Sequence, residues 1–297
     1  MNEQTPINWK NTSASILITV FCLGGYLIYT GTWVDWVPSN EFPDETLPEL
    51  HRIDFYSHQV DDHYRLHVQL PHGYDDSDDS YGVLYATDGG GGSRFHKQTI
   101  LPMVRKGHIP QMIYIGIENR TREFYMSVSG SNPTRRRDFA YTSRLNPENE
   151  QGNENFHRFI EENIKPFINA TYRTKKNEAA LGGHSLGGLF TLYSLFRHPE
   201  SYKYYFASSP SIFFESGRIY EEEQALYTES KQLPAALYMS MGSREAPLML
   251  ENFHQLARIL KSRNYTGFEF SHEVIANETH GTVLPQATQR GLRFLYQ

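Results

Sequence analysis

The chain has 297 residues, of which 39% are hydrophobic and 14% aromatic, and its formal net charge is −6. This length and composition are typical of a globular protein with a full-sized core, and they exclude a disordered chain. The negative net charge argues against a general nucleic-acid-binding protein, because such proteins usually carry a basic face.

The chain begins with a short tail, residues 1–13, followed by an apolar stretch over residues 14–34 that contains the single cysteine, Cys22. About 20 apolar residues suffice to cross a membrane, so we expect an uncleaved transmembrane anchor. A cleaved secretory signal is the alternative, although the stretch has a poor cleavage site. Lys10 before the stretch favours a following domain outside the cytoplasm, either membrane-anchored or, after cleavage, secreted. One cysteine also excludes an intrachain disulfide framework.

A linker is predicted over residues 35–48, which contain three prolines and several acidic residues, and a single domain over residues 49–297. Within this domain short apolar or alternating runs, typical of strands, are interleaved with amphipathic patterns typical of helices. This alternation favours an α/β fold with a mostly parallel sheet flanked by helices. The predicted strands are Tyr64–Leu70, Tyr81–Thr87, Met112–Ile117, 178–182, Tyr204–Ala207, Ala235–Met241 and Phe268–Ile275; the predicted helices are Phe156–Phe167, Leu186–Arg197 and Glu251–Arg263.

Ser185 is the candidate nucleophile. It lies in Gly183-His184-Ser185-Leu186-Gly187, between the strand over 178–182 and the helix from Leu186. The nucleophile elbow of the α/β-hydrolase fold needs a strand, a tight turn with small flanking residues, and a helix that begins at the serine. The five-residue pattern is weak by itself. Its place between strand and helix favours a serine hydrolase over a glycine-rich turn without chemistry.

A serine hydroxyl becomes a good nucleophile only when a base accepts its proton. In this fold the acid and then the histidine follow the serine along the chain. Of the four histidines after Ser185, three are predicted to lie at a helix end, in a helix and in a strand: His198, His254 and His272. His280 alone lies in a loop after the last strand, where α/β sheets place their sites. It is the predicted base.

The third member of the triad is predicted to be a glutamate, because no aspartate occurs after Ser185. Glu245 follows the strand Ala235–Met241 and would orient the imidazole and stabilise its charged form. Glu278 is the alternative. It is only two residues from His280 on the same loop, and we expect it to be poorly placed to face the Nδ1 atom of the ring.

An oxyanion hole needs two backbone N–H groups directed at the developing negative charge. Leu186, the residue after the nucleophile, is the first predicted donor, and the second should follow an early strand. That position is Asp88 followed by four glycines, so Gly89 or Gly90 is the second candidate. A phosphate-binding loop is disfavoured because no Gly-Lys-Ser/Thr follows the glycines.

With these motifs the chain resembles the esterase-D-like family of α/β-hydrolases, and most of all its branch of siderophore esterases, the enterobactin and bacillibactin trilactone hydrolases. Four segments carry the resemblance: Leu66–Gly89, the elbow with its helix, Tyr204–Phe214 and Glu278–Phe294. It implies a carboxylic-ester hydrolase with a serine–histidine pair and an acid at the Glu245 position. Feruloyl esterases, S-formylglutathione hydrolases and mycolyltransferases also belong to this family, so the substrate does not follow from the fold.

The resemblance also suggests residues that contact the substrate. Arg120 and Arg122 match an arginine that faces the ligand in the siderophore branch, and His184 is a further candidate. The run Arg135-Arg136-Arg137 could also contact an anionic substrate, with solvated surface arginines as the alternative. We expect a small-molecule ester as substrate, a membrane contact through the N-terminal stretch, no nucleic-acid partner and no cofactor. The oligomeric state stays open.

A metal site is not expected. His63, Arg65 and His67 share one face of a predicted strand and form its polar side. The cationic arginine between the two histidines further disfavours a bound metal. Two functions other than hydrolysis are considered: acyl transfer to an alcohol or sugar by the same chemistry, and a membrane-tethered binding protein without turnover. The complete Ser185, His280 and Glu245 set argues against the binding protein.

Overall fold

The computed structural model describes residues 50–89, 96–120, 133–141 and 151–297. The predicted tail (1–13), transmembrane or signal segment (14–34) and linker (35–48) lie outside these residues, as do Gly90 and Arg122. Among the helices of the described ranges, none is both long and apolar enough to cross a membrane.

The described part of the chain forms one eight-stranded sheet with the strand order β1-β2-β4-β3-β5-β6-β7-β8. The two pairs β1–β2 and β2–β4 are antiparallel, and all other neighbours are parallel. This confirms the predicted α/β class with a mostly parallel sheet. The strands are β1 (His51–Ser57), β2 (Asp62–Gln69), β3 (Tyr81–Thr87), β4 (Met112–Asn119), β5 (Thr174–His184), β6 (Tyr204–Ser208), β7 (Ala236–Gly242) and β8 (Glu269–Ile275).

Helices cover both faces of the sheet. They are α1 (Leu101–Arg105), α2 (Pro133–Phe139), α3 (Gly152–Phe159), α4 (Lys165–Thr171), α5 (Leu186–Arg197), α6 (Ile219–Glu229), α7 (Pro247–Ser262) and α8 (Leu284–Leu295). A π-helical turn, Ile160–Ile164, joins α3 to α4, so the predicted helix Phe156–Phe167 is one longer helical segment. The predicted helix Leu186–Arg197 is confirmed residue for residue as α5.

Successive side chains of a strand face opposite sides of the sheet, and the core therefore has two layers. Val83 and Tyr85 of β3 belong to the larger apolar cluster, which includes side chains of α3, α5, α6 and α7. Leu84, between them, belongs to a second cluster with residues of α1 and α8. Successive strand residues point to opposite faces, so a strand buried on both sides reads as a continuous apolar run. This accounts for the sequence of β3.

The helix α5 packs deepest, because every residue from Gly187 to Phe196 is buried. Phe190 is fully buried, and its ring lies 5.1 Å from that of Phe156 and 5.8 Å from that of Phe139, measured between centroids. An all-round apolar helix of this kind is stable only when other elements surround it. The helix that follows the predicted nucleophile is therefore held rigidly against the sheet.

The short helix α2 is tied to the sheet by charged groups as well as by the buried ring of Phe139. Arg137 places its Nη2 atom 2.9 Å from Oδ2 of Asp62, at the start of β2, and its Nε atom 2.7 Å from Oδ1 of Asp138. The hydroxyl of Tyr64 donates to the other oxygen of Asp138 at 2.8 Å. Burial raises the pKa of Asp138 to about 6, although Arg137 acts in the opposite direction.

Replacing Arg137 with methionine should destabilise the fold by about 3–5 kcal/mol, because it leaves buried carboxylates without their cation. Urea unfolding of the variant measures this free energy. Arg65→Met is the matched control: it removes a guanidinium that pairs with Asp54, whose side chain is 61% exposed, and should cost less than about 1 kcal/mol. Equal losses in the two variants would contradict the assigned role of Arg137.

Candidate active site

Ser185 lies between the last residue of β5 and the first residue of α5, with φ 61° and ψ −120°. This is an unusual conformation for a residue with a side chain. The backbone around it is hydrogen-bonded: the N–H of Ser185 donates to the carbonyl of Ser208, and its own carbonyl accepts from Leu189 and Ser211. The turn has the features of a nucleophile elbow, in which a strained backbone exposes the serine hydroxyl.

Two glycines make this turn possible. A Cβ atom on Gly183 would lie 2.2 Å from the carbonyl oxygen of Gly187, and one on Gly187 would lie 2.2 Å from Oγ1 of Thr87. Both distances are far below any van der Waals contact, so neither position can hold a larger residue without displacing backbone or β3. The Gly-x-Ser-x-Gly pattern is thus explained by the packing of strand, turn and helix.

Glu245 and His280 meet at the same edge of the sheet. The Nδ1 atom of His280 lies 2.8 Å from Oε2 of Glu245. The carboxylate is fully buried, whereas the side chain of His280 is 41% exposed. Glu278, the alternative acid, has other partners: its carboxylate accepts from Thr282 and Gln286. Of the two glutamates, the structure pairs Glu245 with the imidazole.

Two further donors hold Glu245. Its Oε1 atom accepts from the hydroxyl of Ser209 at 2.5 Å and from the N–H of Gly242 at 2.8 Å. Burial raises the pKa of Glu245, but the hydrogen bonds from His280, Ser209 and Gly242 outweigh it, so the pKa lies below its ordinary value. The carboxylate is therefore ionised at neutral pH, with one oxygen left for the imidazole.

Ser209 was not identified from the sequence. It directly follows β6, is fully buried and has a positive φ of 44°. Its only sequence signal is its place at the carboxyl end of a parallel strand, next to the strands that precede Ser185 and Glu245. The hydrogen bond to Glu245 joins residues 36 positions apart, and no local pattern encodes such a contact.

The hydroxyl of Ser185 has Ser211 as its hydrogen-bond partner in the described part of the chain, with 3.4 Å between the two Oγ atoms. His184, the last residue of β5, directly precedes Ser185. Its Nδ1 atom is 3.2 Å from the hydroxyl of Ser208, and its ring centroid is 4.6 Å from that of His280. Burial, together with the nearby His280 and Arg135, lowers the pKa of His184 to about 3, so this imidazole is neutral.

The candidate oxyanion donors lie on neighbouring segments. Leu186 is the first residue of α5, and Gly89 follows the end of β3 after Asp88. A Cβ atom on Gly89 would lie 2.2 Å from Cα of Gly116 in β4, so only glycine fits where this loop crosses the strand. At Gly89 the chain therefore runs close against β4.

Three of the candidate arginines, Arg120, Arg135 and Arg137, lie beside carboxylates. Arg120 follows β4, and its Nη1 atom lies 3.7 Å from Oδ1 of Asp54 in β1. The solvated-surface interpretation is wrong for Arg135 and Arg137, whose side chains are 22% and 16% exposed and are paired with carboxylates. The pairs of Arg135 with Asp88 and of Arg137 with Asp62 join elements far apart in sequence, which the run of three arginines did not reveal.

A family model described as "Putative esterase" matches residues 57–267. The chain belongs to this esterase family. Ferri-bacillibactin esterase BesA of Bacillus subtilis is 31% identical over 205 residues, 64% of this chain and 68% of that protein. The siderophore enterobactin esterase of Emericella nidulans is 32% identical over 175 residues, 50% of this chain and 58% of that protein.

The solved structures agree with the fold. The BES protein from Bacillus cereus is 27% identical, with a TM-score of 0.72 over 88% of this chain and 100% of that chain. The predicted resemblance to siderophore esterases and the enzyme class, a hydrolase of carboxylic esters, are confirmed.

Proposed function

We propose that the chain is a serine esterase with Ser185 as nucleophile, His280 as general base and Glu245 as the orienting acid. The observation that carries this proposal is the 2.8 Å hydrogen bond between buried Glu245 and half-exposed His280, at the sheet edge that also bears the strained Ser185. A carboxylate in this position fixes the tautomer of the imidazole, with Nδ1 protonated and Nε2 free to accept a proton.

In the proposed reaction the hydroxyl of Ser185 turns from Ser211 toward Nε2 of His280. Its oxygen attacks the ester carbonyl while the proton passes to the imidazole. The N–H of Leu186 and that of Gly89 or Gly90 stabilise the resulting oxyanion. As the tetrahedral intermediate collapses, the alcohol leaves with the proton from His280. Water, activated by the same imidazole, then hydrolyses the acyl-enzyme and restores Ser185.

A siderophore ester is the proposed substrate, and the names of the relatives support it: ferri-bacillibactin esterase, siderophore enterobactin esterase and siderophore triacetylfusarinine C esterase. The last of these is 37% identical over 118 residues, which are 40% of that protein. An aryl ester is the alternative substrate. Acyl transfer would use the same acyl-enzyme and differ only in the acceptor, so product analysis distinguishes it from hydrolysis.

A fluorophosphonate probe should label the wild type covalently, because it reacts with activated serines. Ser185→Ala should abolish labelling, and intact-mass spectrometry measures the adduct. Ser211→Ala is the control, since it removes the nearest other hydroxyl but leaves the nucleophile, and it should still form the adduct. Labelling that survives in Ser185→Ala, or is absent from the wild type, would refute the assignment.

Glu245→Gln should lower kcat by about 10²–10⁴-fold, because an amide cannot hold the imidazole in the same tautomer or stabilise its cation. Glu278→Gln makes the same chemical change two residues from His280 and should leave kcat within about threefold of the wild type. Steady-state hydrolysis of p-nitrophenyl acetate measures both. A large loss in Glu278→Gln with little in Glu245→Gln would reverse the choice of acid.

Among p-nitrophenyl acetate, a feruloyl ester and a catecholate trilactone, the trilactone should have the highest kcat/KM. Chromatography of the products should show free acid and alcohol rather than a transferred acyl group. A preference for the feruloyl ester would retain the esterase but reject the siderophore substrate. Acyl products formed on an added alcohol, in place of free acid, would indicate a transferase.

A further inference from the structure

One guanidinium group joins the two segments that carry the candidate oxyanion donors. Arg135 of α2 donates from Nε to Oδ1 of Asp88 at 2.7 Å and from Nη2 to Oδ2 at 2.6 Å. The same Nη2 donates to the backbone carbonyl of His184 at 3.2 Å. A bidentate pair of this kind fixes orientation as well as distance.

The two acceptors stand directly before the functional backbone. Asp88 precedes Gly89, and His184 precedes Ser185 and Leu186. Asp88 itself has a positive φ of 59°, which a side-chain-bearing residue adopts at a cost and keeps only where its surroundings hold it. Because Arg135 fixes the carboxylate of Asp88, it also fixes the direction of the backbone between Asp88 and Gly89.

The peptide group between His184 and Ser185 is bound on both sides. Its carbonyl accepts from Arg135, and its N–H donates to the carbonyl of Ser208 at 3.0 Å. Rotation of this peptide would change the strained φ of Ser185 and with it the direction of the next N–H group, that of Leu186. Arg135 therefore holds both the elbow and the segment Asp88-Gly89 that follows β3.

Arg135 is itself well supported. Its side chain and that of Asp88 are each 22% exposed, and its guanidinium carbon lies 5.5 Å from the ring centroid of Phe139. Two residues further along α2, Arg137 is tied to Asp62 at the start of β2. The helix that presents Arg135 is therefore anchored independently of the contacts that Arg135 makes.

We propose that Arg135 is a positioning residue that sets the separation and direction of the two oxyanion donors. This inference rests on the proposed function, because it assumes that Leu186 and Gly89 bind the oxyanion. Arg135 acts through Asp88 and His184 and binds no substrate. Loss of the Arg135 contacts should weaken stabilisation of the transition state. It should leave binding of the substrate ground state nearly unchanged, because the oxyanion hole acts only when negative charge develops on the carbonyl oxygen.

The test compares Arg135→Gln with Arg65→Gln in the full-length protein. Arg65 makes a similar bidentate pair, with Asp54 at 2.7 and 3.0 Å, on strands β1 and β2. With p-nitrophenyl acetate, Arg135→Gln should lower kcat by about 10–100-fold, as expected for a misplaced oxyanion hole, with KM within about threefold. Affinity for a trifluoromethyl ketone, whose hemiketal oxygen would occupy the hole, should fall in parallel. Arg65→Gln should change neither.

Asp88→Asn/Arg135→Gln covers the case in which the single variant folds poorly. It removes both charges of the Arg135–Asp88 pair together, so it should unfold at a temperature closer to that of the wild type than the single variant does, and it should still show the loss in kcat. A rise in KM with kcat unchanged would mean that Arg135 binds substrate and would overturn the proposal. So would a kcat equal to that of Arg65→Gln. Either result, with the wild type active and labelled at Ser185, leaves the proposed esterase intact.

Discussion

The backbone of Ser185 has a conformation that serine rarely adopts, with φ 61° and ψ −120°. Such a conformation costs on the order of 1–3 kcal/mol and persists only where the surroundings hold it. The carbonyl of Ser208, the first turn of α5 and the N–H of Ser211 all hydrogen-bond to this one residue. Because α5 is buried along its length, the turn cannot relax without disturbing the core, and the hydroxyl stays at the sheet edge.

The parallel register explains why distant residues assemble around that hydroxyl. His184, Ser208 and Ser240 stand side by side on β5, β6 and β7. The segments that follow parallel strands therefore emerge at one edge of the sheet, the usual place for a site in α/β proteins. Each segment supplies one part: the elbow, Ser209, Glu245 and, after β8, His280. Burial of Glu245 would by itself favour its neutral form, and its three donors reverse this effect.

Local sequence predicts the parts of this site that local geometry determines. The elbow could be predicted because strand, glycines and helix are contiguous, and His280 because its loop follows the last strand. Ser209 and Arg135 could not, since their partners lie 36 and 47 positions away. The edge strand β1 was missed because its residues alternate between half-buried and exposed positions, which leaves a weak hydrophobic pattern. Arg120, a candidate ligand contact, lies beside Asp54 of this unpredicted strand.

Chain order also separates two physical tasks. Segments after Ser185 supply the groups that would move a proton, His280 with Glu245 and Ser209. The segment after β3 would supply one backbone donor to the oxyanion, and α2 supplies Arg135, which holds that segment through Asp88. The helix α2 has only seven residues, too few to be stable alone, so its position depends on tertiary contacts. Residues two apart on a helix point to nearly opposite sides, and here Arg137 reaches β2 while Arg135 reaches Asp88 and His184. The two arginines therefore have different roles: Arg137 fixes α2 to β2, and Arg135, presented by the helix so fixed, holds the elbow through the carbonyl of His184.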